Sequence, residues 1–322
     1  MTTTPLSSLF YSHRGNISDK WEQYLAIYES ELQQWQGKPV ELLEIGVQNG
    51  GSMDIWARYF DRASSLVGID IDERITGLAH EPNVELLVAD GTSAAQVSAV
   101  LGARTFDVII DDGSHVSTDI VNSLRLLFSR LKPGGRYFIE DLHCAYWSEF
   151  GGGLEHEGSA IEFLKKLVDV IHFDHLQTPG DLEIGVDDDL LLDLRTGLAR
   201  VTFYDSVAVI ERLPFARHEP YRRVLTGDSG EVVDPVQLVM LEEERSLLFV
   251  EPLARTVDSG LIEEIKAGRE QLRLQAEDLH ARIAAREAEV RALRESTSWK
   301  LTAPIRALRQ LIPGRRRDES HQ

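Results

Sequence analysis

Between residues 38 and 141 short apolar runs alternate with helix-length amphipathic stretches: "KPVELLEIGV", "SLVGIDI", "VELLVAD", "FDVIIDD" and "GGRYFIED". Each run is too short for a buried helix and is rich in Val, Ile and Leu, as a strand covered on both faces requires. Helical stretches lie between most of them, among them "SMDIWARYF", with Ser52 as its expected cap, and "STDIVNSLRLLFSRL" at 117–131. Strands alternating with helices predict an α/β chain with a doubly wound, mostly parallel sheet. In such sheets ligands sit outside the carboxyl ends of the strands.

The flanks extend this plan. Residues 16–35 place Trp21, Tyr24, Leu25 and Tyr28 at helical spacing, with Ser18 or Asp19 as the cap. They predict a helical cap segment over 1–35, ahead of a sheet domain over 36–235. "AIEFLKKLVDVIHF" reads as a helix, and "ARVTFYDSVAVIERL" at 199–213 as a last hairpin turning at Tyr204–Asp205–Ser206. The glycine-rich stretch 150–159 reads as loop. Residues 236–322 are predicted to form a helical, coiled-coil-like extension. Ile262, Ile265, Leu272, Ala276, Leu279, Ile283, Val290 and Leu293 follow a heptad seam that Arg269 and Arg286 interrupt. That pattern suits a coiled coil or a solvated helix lying on its own domain. "STSWKLTAPIRALRQLIPGRRR" reads as an amphipathic helix with a basic tip.

A net charge of −19 argues against a nucleic-acid partner, which needs a broad basic surface. The exception is local: Lys300, Arg306, Arg309, Arg315, Arg316 and Arg317 occur in 297–317 without an acid, a tip suited to an anionic membrane or an acidic partner. Cys144 is the sole cysteine, so neither an intrachain disulfide nor a cysteine-based zinc site can form. "MTTTPLSSLF" lacks the plan of a signal peptide, and no run of about 18 apolar residues occurs. The expected setting is cytoplasmic, with the tail as a peripheral contact at the inner membrane face.

"LLEIGVQNGGS" at 42–52 sets an acid on a strand before a glycine-rich turn into a helix. Gly46, Gly50 and Gly51 do not form GxGxxG and no GK[ST] follows, so neither the dinucleotide fingerprint nor a P-loop is present. The turn brings backbone close to a ligand, and Glu44 suits an ammonium or sulfonium cation better than a phosphate. Asp70 ends the second strand, where a carboxylate can accept both ribose hydroxyls. Asp90 ends the third, in reach of an adenine amino group. This order of signals resembles the class I S-adenosylmethionine-dependent methyltransferases. The resemblance implies a Rossmann-like fold and a cofactor site at Glu44, Gly46, Gly50, Asp70, Asp90 and Asp111.

Two further strand ends carry "DDGSH" (111–115) and "EDLH" (140–143). On neighbouring strands they would gather Asp111, Asp112, Glu140 and Asp141, and carboxylates a few ångströms apart raise one another's pKa. A divalent cation removes that cost, and oxygen ligands favour Mg²⁺, with Mn²⁺ or Ca²⁺ as alternatives. His115 can take a proton from a hydroxyl held on the metal, whose oxygen then attacks the sulfonium methyl in line.

The paired motifs resemble the metal-dependent sugar O-methyltransferases, including the macrolide deoxysugar and rhamnosyl O-methyltransferases and the cephalosporin-hydroxylase-like group. The likeness covers roughly residues 5–215. It implies metal ligands Asp112, Glu140 and Asp141, the base His115, and a sugar or glycan acceptor. "SDKW" at 18–21 resembles the segment that helps close over the cofactor in that group. His143 reads as either a structural hydrogen bond or a site residue. His156, His172 and His175 fall where substrate loops would lie. "STSWKLTAPIRALRQL" resembles segments of bacterial polysaccharide glycosyltransferases and their companions, which tilts the acceptor towards a surface glycan or lipid-linked saccharide and suggests glycosyltransferase contact. The expected acceptor is a bacterial polysaccharide, a glycolipid or a glycosylated natural product, and the expected assembly a homo-oligomer. The competing readings are an O-methyltransferase of catechol-like molecules and a non-catalytic scaffold for glycan synthesis.

Overall fold

The computed structural model describes residues 5–176, 182–218, 221, 223–226, 247–249 and 282. The chain divides into two units, the first ending at Pro220. In that first unit α1 (Leu6–Tyr11) and α2 (Glu22–Leu32) precede β1 (Glu41–Ile45), α3 (Gly51–Tyr59), β2 (Ser65–Asp70), β3 (Val84–Val88), α4 (Ala94–Leu101) and β4 (Phe106–Asp111). Then follow α5 (Ser117–Leu127), β5 (Leu131–Ile139), α6 (Ala160–Ile171), α7 (Asp188–Gly197), β6 (Leu198–Phe203) and β7 (Ala208–Arg212). They form one seven-stranded sheet in the order β3-β2-β1-β4-β5-β7-β6. Strands β1 to β5 run parallel, while β7 is antiparallel to β5 and β6. This is the expected Rossmann-like α/β architecture, and its last two strands are the expected hairpin.

The pleat explains both layers of the core. Side chains alternate between faces along a strand. Leu43, Val67, Ile109, Tyr137 and Ile139 face one layer, with Leu101, Leu124 and Leu164. Leu42, Leu66, Val108, Ile110 and Phe138 face the other, with Tyr24, Tyr28, Met53 and Trp56. Each buried Leu, Ile or Phe side chain contributes about 1.5–3 kcal/mol, so both sheet faces must be covered before this pattern is stable.

Local starts differ from the sequence expectations. α2 begins at Glu22, and neither Ser18 nor Asp19 caps it; Trp21 holds the N-cap position without a side-chain bond. Asn16 and Ile17 lie against the start of α3, where a Cβ on Gly51 would meet the Asn16 carbonyl oxygen at 2.4 Å. Ser52 does not cap α3: Gly50, in the left-handed region, is the N-cap, and the Ser52 hydroxyl donates inward to Glu44. Periodicity did not anticipate α7, which starts where the Asp187 carboxylate accepts the Leu190 N–H at 2.8 Å. The second unit includes a short parallel pair, β8 (Arg223–Leu225) and β9 (Leu247–Phe249). The predicted heptad helix, apart from the helical Arg282, and the basic amphipathic end lie outside the described residues.

Candidate active site

A cleft of about 900 Å³ opens at the carboxyl ends of β1, β2, β4 and β5 and is lined by Lys20, Trp21, Gly46, Asp70, Asp112, His115, Glu140, Asp141 and His143 among others. Register explains why these tips meet. Asp111 pairs with Ile139, the Glu140 N–H donates to the Asp111 carbonyl at 2.9 Å, and the Asp112 N–H donates to the Ile45 carbonyl at 3.0 Å. Gly46 has φ +89°, and a Cβ there would lie 2.0 Å from the Asp112 carbonyl oxygen. Only glycine lets the first turn pass beneath the acid motif.

Parity then sorts the acids. Asp112 and Glu140 continue the face carrying Ile110 and Phe138, toward α2 and its preceding segment. Lys20 Nζ donates to the Asp112 carboxylate and to Glu140 Oε1, the latter at 2.8 Å, and the Tyr28 hydroxyl donates to the same Glu140 oxygen at 2.5 Å. Burial lowers the Lys20 pKa, but Glu140 and Asp112 more than reverse this, so the net shift is upward. Burial pushes Asp112 up to about 7 against the pull of Lys20, and Glu140 likewise to about 7.

Asp141 sits at φ +51° and His115 at φ +58°, left-handed conformations that cost non-glycine residues energy and gather at functional sites. Asp141 Oδ1 accepts from Trp21 Nε1 at 3.1 Å and from the Tyr24 hydroxyl at 2.7 Å. Its Oδ2 lies 3.4 Å from His115 Nε2, which is 4.0 Å from Asp112 Oδ1. Ligand atoms of Asp112, His115 and Asp141 all lie within 4.8 Å of one another. The carboxylates of Asp112 and Asp141, with Glu140 beside them, are oxygen donors that suit a divalent cation, and His115 stands next to them.

The remaining predicted residues separate. Asp70 lines the cleft and accepts the Gln48 and Asp72 N–H groups, each at 2.9 Å. Glu44 is fully buried under α3, on the Leu42 face: it accepts from Ser52 Oγ at 2.6 Å and Trp56 Nε1 at 2.8 Å, and burial raises its pKa. Its expected role beside a bound cation is therefore met by protein donors instead. Asp111 points to the opposite face, accepting from Ser123, and burial pushes it up to about 6. Asp90 turns back on Thr92, accepting its N–H at 2.8 Å and its hydroxyl at 2.7 Å. Neither Glu44, Asp111, Asp90 nor Gly50 is among the residues lining the cleft. Sequence reasoning did not single out Lys20 as a partner of the acids, nor Tyr24, Tyr28 and Ser206. The spacing of the two tyrosines reads equally well as core, and they are in fact buried, with only their hydroxyls reaching the acids.

Residues 43–142 match the family model for a methyltransferase domain. The chain is similar to the 8-demethyl-8-alpha-L-rhamnosyl tetracenomycin-C 2'-O-methyltransferase of Streptomyces olivaceus, with 38% identity over 174 residues, 51% of this chain and 45% of the relative. It is also similar to the mycinamicin VI 2''-O-methyltransferase of Micromonospora griseorubida, with 30% identity over 198 residues, 58% of this chain and 47% of the relative. Among solved structures it resembles the MycE methyltransferase of the mycinamycin pathway, in complex with Mg and SAH, at TM-score 0.55 and 26% identity over 66% of this chain and 55% of that one. The matched stretches thus span about half the length of these relatives. The chain resembles the class I methyltransferases and, among them, the sugar O-methyltransferases of macrolide and tetracenomycin pathways. Among the described residues no helix is long and apolar enough to cross a membrane.

Proposed function

We propose that this chain is an S-adenosylmethionine-dependent O-methyltransferase acting, with a divalent cation, on a sugar hydroxyl of a glycosylated small molecule. The observation that carries the proposal is the meeting of Asp112, His115 and Asp141 at one cleft with the Gly46 turn and Asp70. The relatives that act on rhamnosyl tetracenomycin and on mycinamicin support the acceptor class. Mg and SAH in the MycE complex support the cofactors.

In this reading Asp70 receives the ribose hydroxyls and the Gly46 turn gives backbone access beside it. Asp112 and Asp141 would hold Mg²⁺ or Mn²⁺, which when bound supplies Lewis acidity to an acceptor hydroxyl. S-adenosylmethionine when bound supplies the methyl group on a cationic sulfur. His115 takes the proton from the acceptor hydroxyl, and Asp141 beside it stabilises the imidazolium that results. Glu140, which the family resemblance implies as a third ligand, has Oε1 held by Lys20 and Tyr28 and lies outside the mutually close group, so in this reading it keeps Lys20 at the floor of the cleft instead.

The polysaccharide alternative, the glycosyltransferase or membrane contact and the homo-oligomer rest on the tail or on family likeness, and the first reading stays with the glycosylated small molecule. The test is binding of S-adenosylmethionine by calorimetry, followed by transfer of labelled methyl to a rhamnosylated polyketide with and without EDTA. Binding with metal-dependent transfer is expected. Binding without transfer to any glycosylated acceptor would favour the scaffold, and transfer indifferent to EDTA would remove the metal.

A further inference from the structure

Two aromatic residues stand half-exposed beside His143, and the chemistry above uses no ring face of theirs. Trp21 is 55% exposed and Trp147 49%. Grouped exposure of large rings marks a contact surface. The group centres on His143: Trp21 meets it edge-on with centroids 5.7 Å apart, and Trp147 meets it edge-on at 4.9 Å. Trp21 and His143 also line the cleft, so this surface is continuous with the site.

Proton accounting fixes the chemistry of His143. Tyr24 has one hydroxyl proton, and the Asp141 carboxylate at 2.7 Å is its strongest acceptor. The Tyr24 oxygen then accepts from Ser206 Oγ–H, also at 2.7 Å. Ser206 Oγ in turn accepts from His143 Nδ1–H at 2.5 Å. Nε2 of a neutral His143 is thereby the lone-pair nitrogen, an acceptor on a ring that two indoles contact.

Ring faces around one fixed acceptor match a pyranose, which offers an apolar C–H face and hydroxyl donors together. We propose that Trp147, Trp21 and His143 form the subsite that receives the acceptor sugar, the Trp147 indole packing on the C–H face and His143 Nε2 accepting one hydroxyl. The subsite rests on the methyltransferase reading and adds to it the residues that select the sugar. Ser206 and Tyr24 are positioning residues that hold the His143 tautomer.

The test is saturation-transfer NMR on the full chain loaded with S-adenosylhomocysteine and Mg²⁺, with methyl α-L-rhamnopyranoside as probe. The wild type is expected to saturate the ring C–H protons of the probe. Trp147→Ala and His143→Ala each weaken probe binding by about fivefold, the size of one lost ring contact or hydrogen bond, and Trp147→Phe restores it to within about twofold. S-adenosylhomocysteine affinity, measured on the same samples, stays unchanged and shows that each variant is folded. Undiminished saturation in both alanine variants, or none in the loaded wild type, overturns the subsite. Failure of the wild type to bind S-adenosylhomocysteine would instead strike the methyltransferase reading beneath it.

Discussion

Lys20 Nζ lies 2.8 Å from Oε1 of Glu140, a residue 120 positions later in the chain, and donates to Asp112 as well. One ammonium thus ties the segment ahead of α2 to the ends of β4 and β5. The Lys20 side chain is 5% exposed and that of Glu140 1%, so the pair is buried rather than a solvated surface bridge.

Removing one partner of a buried pair leaves the other charge uncompensated. Lys20→Met is therefore expected to lower stability by about 3–5 kcal/mol in metal-free urea unfolding at pH 8. Added Mg²⁺ should narrow the deficit, because a cation held by Asp112 compensates one of the two acids that Lys20 pairs with. A loss below about 1 kcal/mol would mean that water already screens the pair.

Much of this architecture was legible in the sequence, because alternating apolar runs and helical stretches admit few arrangements. The gathering of Asp112, His115 and Asp141 followed from two strand ends on neighbouring strands. What escaped was parity. Asp111 and Asp112 are adjacent, so the pleat must send them to opposite faces, and only Asp112 reaches the cleft. Glu44 follows the same rule: it lies on the Leu42 face, under Trp56. The partners of Lys20 and Ser206 could not be read, since they come from 120 and 182 residues away in the chain. Nothing in local spacing reports such contacts.

Glu44 gives a pH prediction. Burial raises its pKa above the ordinary glutamate value of 4.5, so the folded protein takes up this proton more readily than the unfolded chain. Its stabilising contribution is complete below the unfolded value and is lost as pH rises through the folded one. In Glu44→Gln the amide oxygen can still accept from Trp56, and the Ser52 hydroxyl can turn to accept from the amide. Urea unfolding should therefore show the wild type losing stability relative to Glu44→Gln as pH rises above about 4.5. A constant difference across that range would show that the carboxyl titrates alike in both states.

The Asp141–Tyr24–Ser206–His143 chain fixes a tautomer that can be read directly. Ser206→Ala removes the acceptor of the Nδ1 proton, and a free imidazole prefers the proton on Nε2. The ¹⁵N shifts of His143 should then exchange, with the protonated nitrogen moving from Nδ1 in the wild type to Nε2 in the variant. The cost to stability should be about 1 kcal/mol, one hydrogen bond in a partly buried network. A wild type already carrying the proton on Nε2 would reverse the direction of the chain and remove the acceptor from the sugar subsite.

Manganese binding separates the acids by role. All three acids accept hydrogen bonds from the protein, but only Asp112 and Asp141 offer oxygens in the mutually close group, which does not include Glu140. Outer partners of a metal site are worth about 10–100-fold in affinity, so loss of a true ligand should exceed that. Electron paramagnetic resonance titration of Mn²⁺ is thus expected to show Asp112→Ala and Asp141→Ala weakened by more than about 100-fold, and Glu140→Gln by about 10–100-fold. His115→Ala should keep Mn²⁺ and S-adenosylmethionine affinity within about tenfold and lose at least about 100-fold in methyl transfer, as a general base would. If His115→Ala lost the metal as completely as Asp112→Ala, the imidazole would be a ligand, and the proton acceptor would have to be sought elsewhere in the cleft.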